Sequence, residues 1–312
     1  MNKSMSLKKK RSSRTTVGLD IDSSFLAAVQ VEDGAVSHAV STDLAPGIVN
    51  EGEVVDTRAL SESLKRFFKD NGLPQRVRLG VSNQQIVVRH LETPKLDDPK
   101  ALDTAIRFQA AEAIAMPLDE AILDHQVVGE AMSPEGRPTL RAVVVAARSS
   151  MIDRFVEAVR GAGLRPEGID LSAFALVRTL TTRSAPEEGA KVLCHLGGTT
   201  NLAIALARTC LFTRPLSTNS EEEGEHVGAA LAEEIRLSID FYVTQPDAPV
   251  VESVRLSGPG AARDGLVEEL EAMVGLPVAI SEPLGGLEGA LAPGEDADRH
   301  TVAAGLALGA VA

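Results

Sequence analysis

Two similar stretches, about 175 residues apart, constrain this chain more than any other feature. The first is Val17-Gly18-Leu19-Asp20-Ile21-Asp22-Ser23-Ser24, and the second is Val192-Leu193-Cys194-His195-Leu196-Gly197-Gly198-Thr199-Thr200. Each is a short apolar run, a turn of small and polar residues, and then a second apolar run. That pattern encodes a β-hairpin whose tip can approach a phosphate closely. Two of them in one chain imply two related halves facing a shared cleft.

The rest of the composition permits this. The 312 residues, 44% hydrophobic and 24% charged, have room for two domains. Trp is absent and aromatics are few, so Ala, Val and Leu must fill the interior. The net charge of −13 argues against a nucleic-acid-binding surface. Only the N-terminus is basic, with Lys3, Lys8, Lys9, Lys10, Arg11 and Arg14 ahead of the first acid, Asp20. Residues 1–14 read as a solvated, disordered tail; weak attraction to an anionic membrane surface is the sharper reading. No segment has the length of a membrane-spanning helix, and no apolar stretch follows the basic tail as a signal peptide requires, so a cytoplasmic protein is expected. Cys194 and Cys210 read as reduced core thiols, and the six histidines have no metal-ligand spacing.

Strands are predicted at 16–21, 25–32 and 35–42, with Asp33-Gly34 turning one hairpin. Thr57 is the predicted N-cap of a helix over 58–70, which Asn71-Gly72 ends. A strand follows at Val77–Val81. Residues 83–166 carry strand (Gln85–Leu91), helix (from Pro99 to before Pro117), two strands (Ile122–Gly129, Thr139–Ala147) and a helix (150–161), enough for a small α+β subdomain. Asp170 or Ser172 is expected to cap a helix through Leu180, and Thr181–Gly189 reads as a linker. The second half predicts strands at 191–196, 201–207 and 210–216, a helix over 225–243, a strand at 250–256, a helix from Arg263 to Val274, and a short strand at Val278–Ile280. Thr301–Val311 is a helix rich in Ala and Gly, suited to tight packing.

Several segments in fixed order resemble the PilM group of type IV pilus assembly proteins and, more distantly, the FtsA cell-division proteins. They are Gly18-Leu19-Asp20-Ile21, the run from Gly47 to Asp56, Leu91-Glu92-Thr93-Pro94, Ala113-Ile114-Ala115-Met116-Pro117, and Gly168-Ile169-Asp170 leading to Phe174-Ala175-Leu176. The second half adds Phe212-Thr213-Arg214, Glu234-Ile235-Arg236-Leu237-Ser238 and Leu256-Ser257-Gly258-Pro259-Gly260-Ala261. The resemblance implies an actin-like (ribonuclease H-like) α/β fold. Its first domain would be residues 15–82 and 167–184, with 83–166 the inserted subdomain. The second domain would span 190–298, and a helix within 299–312 would pack back on the core.

The resemblance also implies ATP and Mg²⁺ between the halves, and a partner: the N-terminal tail of a PilN-like membrane protein, which would bring the chain to the inner face of the membrane. Asp20 would orient Mg²⁺ through water. Ser23, Ser24, Gly197, Gly198, Thr199 and Thr200 would contact phosphate, Glu234 and Ser238 would border the nucleoside, and Gly258 and Gly260 would flank adenine. Three residues depart from that pattern. Asp22 stands where Gly is usual and would repel the β- and γ-phosphates unless a metal intervened; the bland reading is a tight turn with solvated carboxylates. His195 replaces an Asp and is a poor ligand for Mg²⁺; a general base and a hydrogen-bonded buried histidine are the two readings. Pro259 removes an N–H and stiffens its turn. Only 19 residues lie between Arg214 and Glu234, including Glu221-Glu222-Glu223 and Glu225, where the relatives place a longer helical stretch.

These departures favour a scaffold with a degenerate nucleotide site, a pseudo-ATPase, over an active ATP switch; a small-molecule kinase is more remote. The expected tail-binding surface is a groove between the first domain and the inserted subdomain, with edges near Gln85–Leu91 and Thr139–Val145 as candidates for strand addition.

Overall fold

The computed structural model describes residues 16–133, 136–181, 189–218, 227–245, 248–289, 291 and 294–309. The basic N-terminal tail, most of the 181–189 linker, the acidic run Glu221–Glu225 and the last three residues lie outside them.

The first half begins with a meander of apolar strands, β1 (Val17–Ile21), β2 (Phe25–Glu32) and β3 (Ala35–Asp43). Asp33 and Gly34 both take positive φ at the β2–β3 turn, as a two-residue hairpin requires. A miniature hairpin follows, β4 (Val49–Asn50) and β5 (Glu53–Val54), and then α1 (Thr57–Asp70). The cap of α1 is Asp56, one residue before the expected Thr57, because the Asp56 carboxylate accepts from the Ala59 N–H at 2.8 Å. Strand β6 (Arg76–Val81) pairs parallel to β1.

The insertion comprises β7 (Val87–Pro94), α2 (Pro99–Ala113), β8 (Ala121–Met132) and β9 (Pro138–Arg148). Strand β7 starts later than its sequence predicts because Asn83 folds residues 83–86 into a turn. Its side chain accepts from the Gln85 N–H at 2.8 Å and its carbonyl from the Ile86 N–H at 3.0 Å. Asp98 caps α2, with Pro99 in the first turn. The sheet order is β7-β9-β8, so β9 is central. Thr139–Val145 is therefore not an edge; β7 and β8 are. One sheet face packs on α2 through Leu123, Ala142, Val144 and Ala146.

The chain then returns through α3 (Ser149–Gly161), β10 (Arg165–Leu171) and α4 (Ser172–Leu180). Three findings differ from the sequence reading here. Helix α3 packs chiefly with the first domain: Met151, Ile152, Phe155, Ala158 and Val159 share one core with Leu60, Leu64 and Phe67 of α1, and Ala147 of β9 borders it. Residues 165–171 form a strand, parallel to β6. Neither Asp170 nor Ser172 caps α4 through its side chain. Asp170 is instead held by Arg178 and by Arg78 at 3.6 Å, and Ser172 is buried.

The second half contains β11 (Ala190–His195), β12 (Asn201–Leu206), β13 (Thr209–Pro215), α5 (Val227–Val243), β14 (Val251–Ser257), α6 (Leu266–Val274) and β15 (Val278–Ile280), and α7 (Thr301–Gly309) closes the described chain. Its sheet order, β13-β12-β11-β14-β15, repeats the first sheet, β3-β2-β1-β6-β10, strand for strand. In both, two antiparallel pairings are followed by two parallel ones. Helices α1 and α3 pack together as α5 and α6 do, so α3 occupies a place that the repeat reserves for the core. The insertion sits between β6 and α3, where the second half passes directly from β14 through a short turn to α6.

Helix α7 seals the first domain against α4. Gly18 permits this: a Cβ there would lie 2.0 Å from the Ala303 carbonyl oxygen and 2.5 Å from the Ala307 nitrogen. Val302 and Leu306 pack with Ala175 of α4.

Candidate functional site

The repeat brings the β1–β2 and β11–β12 tips face to face. Asp22 crosses the gap. Its carboxylate accepts from the Gly198 N–H at 3.0 Å and the Thr199 N–H at 3.3 Å. On its own hairpin it also accepts from the Ser24 N–H and hydroxyl, each at 3.0 Å. Ser23 lies against Gly198, where an added Cβ would come within 2.0 Å of the Ser23 Oγ. The tips therefore contact each other directly. Ser82 donates to Asn201 across the same cleft, and Gln84 donates to the Ser217 Oγ at 3.2 Å.

Behind the tips remains a cavity of about 20 Å³, lined by Asp20, Asp22, His195, Thr199 and Asn201 among others. That is room for roughly one water. Burial, and secondly the Asp22 charge, hold the Asp20 carboxyl well above the usual carboxylate range. Burial drives His195 the other way, down to about 4, so its imidazole is neutral. Its Nδ1 lies 3.1 Å from the Ser257 Oγ, while its Nε2 is buried without a hydrogen-bond partner. The Thr200 hydroxyl is likewise buried and unpartnered.

The residues expected around a nucleoside make hydrogen bonds within the second half. The Glu234 carboxylate accepts from the Ser217 N–H (2.9 Å), the Thr218 N–H (2.9 Å) and the Thr218 hydroxyl (2.7 Å). Burial raises its pKa, but those hydrogen bonds outweigh burial and leave it lowered. Ser238 is buried and donates to the Glu234 carbonyl at 2.7 Å within α5. The Gly258-Pro259-Gly260 turn folds onto the end of β11: the Gly260 N–H donates to the Leu196 carbonyl at 2.9 Å, and Pro259 opens a 3₁₀ turn. Gly197 stands beside His195 and Asp22. The sequence reading singled out these two hairpins and cast Asp22 as a repulsive neighbour of phosphate; in the structure its carboxylate sits on the opposite tip's amides.

The amides that would meet phosphate are bonded to Asp22, and the carboxyl that would orient Mg²⁺ is held toward its neutral form. Among the described residues, no group of three or more His, Cys, Asp or Glu side chains is arranged to hold a metal.

A much larger opening lies elsewhere. A groove of about 690 Å³ runs between the inserted sheet and the first domain. One wall is the free face of β8 and β9, with Ile122, Gln126, Val143 and Val145; the other is Ile169 of β10 with Phe174 and Val177 of α4. Strands β8 and β10 are each the edge of their sheet. Arg208, Thr209 and Cys210, at the β12–β13 turn, close one end, so the second domain also lines it. The Cys210 thiol, raised by burial to about 12, is un-ionised. Sequence reasoning missed β10 and hence this wall. Only Ile169-Asp170-Leu171 alternates apolar and polar residues, and the irregularity between Pro166 and Gly168 breaks the two-residue period that would have announced the strand.

Two copies of one five-stranded unit, meeting at paired hairpin tips, define the actin-like ATPase fold. A family model described as type IV pilus assembly protein PilM matches residues 18–217. The chain belongs to the PilM family. Among solved structures, a PilM–PilN type IV pilus biogenesis complex matches with a TM-score of 0.79 at 23% identity, covering 95% of this chain and 98% of that one. The cytoplasmic domain of EpsL, an inner-membrane component of the type II secretion system of Vibrio cholerae, matches at 0.51, with 13% identity and 95% of each chain covered. MreB5 of Spiroplasma citri bound to ADP matches at 0.52, with 10% identity, covering 95% of this chain and 96% of that one. Among the described residues, no helix is long and apolar enough to cross a membrane.

Proposed function

We propose that this chain serves type IV pilus assembly as a scaffold at the inner face of the cytoplasmic membrane. It holds the N-terminal tail of a PilN-like membrane protein, and it does so without turning over nucleotide. The observation that carries this reading is the groove between the two edge strands β8 and β10. An extended segment laid there finds unpaired backbone groups on an edge strand and apolar side chains such as Ile122, Val145 and Phe174. Membership of the PilM family supports the pilus context, and the solved PilM–PilN complex supplies the chemical class of partner.

Calorimetric titration with a synthetic tail of the PilN-like partner tests this. Ile122 is 45% exposed, so Ile122→Glu places a carboxylate in the groove without disturbing the core. Saturable binding by the native chain, weakened roughly tenfold or more by Ile122→Glu, is expected, since the docked tail would strip water from the new carboxylate. Equal binding by both proteins removes the groove as the seat. The rival reading is an ATP-driven switch, supported by the Gly197-Gly198 tip, whose backbone keeps an anion-binding form; it requires tail affinity to change when ATP and Mg²⁺ are added.

A further inference from the structure

We propose that Asp22 is a built-in substitute for a phosphate: its carboxylate fills the anion-binding tip of the opposite hairpin and latches the two halves together without a ligand. A hairpin tip of small residues directs backbone N–H groups into one small space, and such a nest favours an anion. Here the Gly198 and Thr199 N–H groups converge on the two oxygens of a single carboxylate, 3.0 and 3.3 Å away, from a residue 176 positions distant in the chain. The Ser24 N–H and hydroxyl, both at 3.0 Å, hold the same carboxylate from its own side and fix its direction across the cleft.

The fit is tight. A Cβ on Gly198 would lie 2.5 Å from an Asp22 oxygen and 2.0 Å from the Ser23 Oγ, so the contact depends on glycine at the receiving tip. A glycine at position 22 could not make this contact, and an asparagine would offer one oxygen and a donor that meets donors. A phosphate group and the Asp22 carboxylate want the same N–H groups, and their negative charges repel. The native chain therefore excludes phosphoryl anions by competition at this tip. The Ser82–Asn201 and Gln84–Ser217 bonds lie along the same seam and share the task of holding it closed.

Pyrophosphate is the probe, followed by thermal unfolding of the full chain with and without Mg²⁺. The native protein is expected to show no shift in its midpoint at millimolar pyrophosphate. Asp22→Gly is expected to unfold at a lower temperature and to regain part of that loss when pyrophosphate is added. Its affinity for pyrophosphate should exceed the native value by about tenfold or more, the worth of one charge-assisted hydrogen bond freed for the ligand. Asp22→Asn keeps an oxygen for the Gly198 N–H and most of the side-chain volume, and it should lie between the two. A native chain stabilised by pyrophosphate as strongly as Asp22→Gly overturns the proposal. So does a folded Asp22→Gly or Asp22→Asn that gains no affinity. Neither result bears on the tail groove, whose binding is read with the tail peptide alone.

Discussion

His195 should act as an acid-sensitive weak point, and its cost can be worked out. Burial moves its pKa from an ordinary 6.5 down to about 4. A base with a depressed folded-state pKa contributes stability that is fully present above 6.5 and lost as the pH falls toward 4, because the unfolded chain takes up the proton first. At ~1.4 kcal/mol per unit, the whole gap is worth about 3 kcal/mol. The isoelectric point near 5.0 limits how far the titration can be taken in soluble protein. At about pH 5.5 the expected loss is about 1.4 kcal/mol relative to about pH 7.5. His195→Asn retains a polar group near Ser257 and does not titrate, so comparing it with the native chain cancels the other histidines. The chain has no Trp and one Tyr. Tyr242 is buried in the same core as Cys194 and Leu196, so its fluorescence during urea unfolding reports on the half that contains His195. If both proteins lose the same stability over this window, His195 is not buried neutral, and the closed cleft described above is wrong.

Asp20 carries the opposite sign. Its carboxyl is raised by burial and by Asp22, so ionisation weakens the fold as the pH climbs from the unfolded value of ~3.9 toward the higher folded one. Asp20→Asn should raise the urea midpoint at about pH 7.5, with the gain fading toward pH 4; a loss at neutral pH would mean that the carboxylate has a partner. Gly18→Ala drives a methyl group into the α7 backbone and should cost roughly 1–3 kcal/mol or more, read as a lower thermal midpoint. Glu234→Ala removes the acceptor for the Ser217 and Thr218 N–H groups and should cost about 1–3 kcal/mol; faster amide exchange at 217–218 is the specific readout.

Much of the architecture could be read from local chemistry. Asp33-Gly34 and Asp98-Pro99 announced a turn and a helix start because each residue's backbone preference acts on its own neighbours. The repeated hairpins predicted the two halves, and the halves share one sheet order. Assignments that depend on distant partners were less legible. Helix α3 follows the insertion in sequence, but its apolar face, led by Ile152 and Phe155, fits α1; nothing in the spacing of those residues names the surface they meet. Asp170 reads as a cap until Arg78 and Arg178 are seen beside it. Asp22 is the sharpest case. Its charge and its place on a hairpin tip were visible, but the amides that receive it belong to residues 176 and 177 positions away. The hydrogen bonds of Glu234 to residues 217–218 likewise could not be read from its place on a helix face.

On this reading a partner tail seats in the groove while the hairpin cleft stays closed on Asp22. Amide hydrogen exchange of the full chain, with and without the tail peptide, tests both parts at once. Slowed exchange is expected along the β8 edge, residues 121–128, or the β10 edge, Arg165–Leu171, with residues 197–199 unchanged. Protection confined to the hairpin tips, or to surfaces such as the exposed Leu237 and Phe241 of α5, would contradict it.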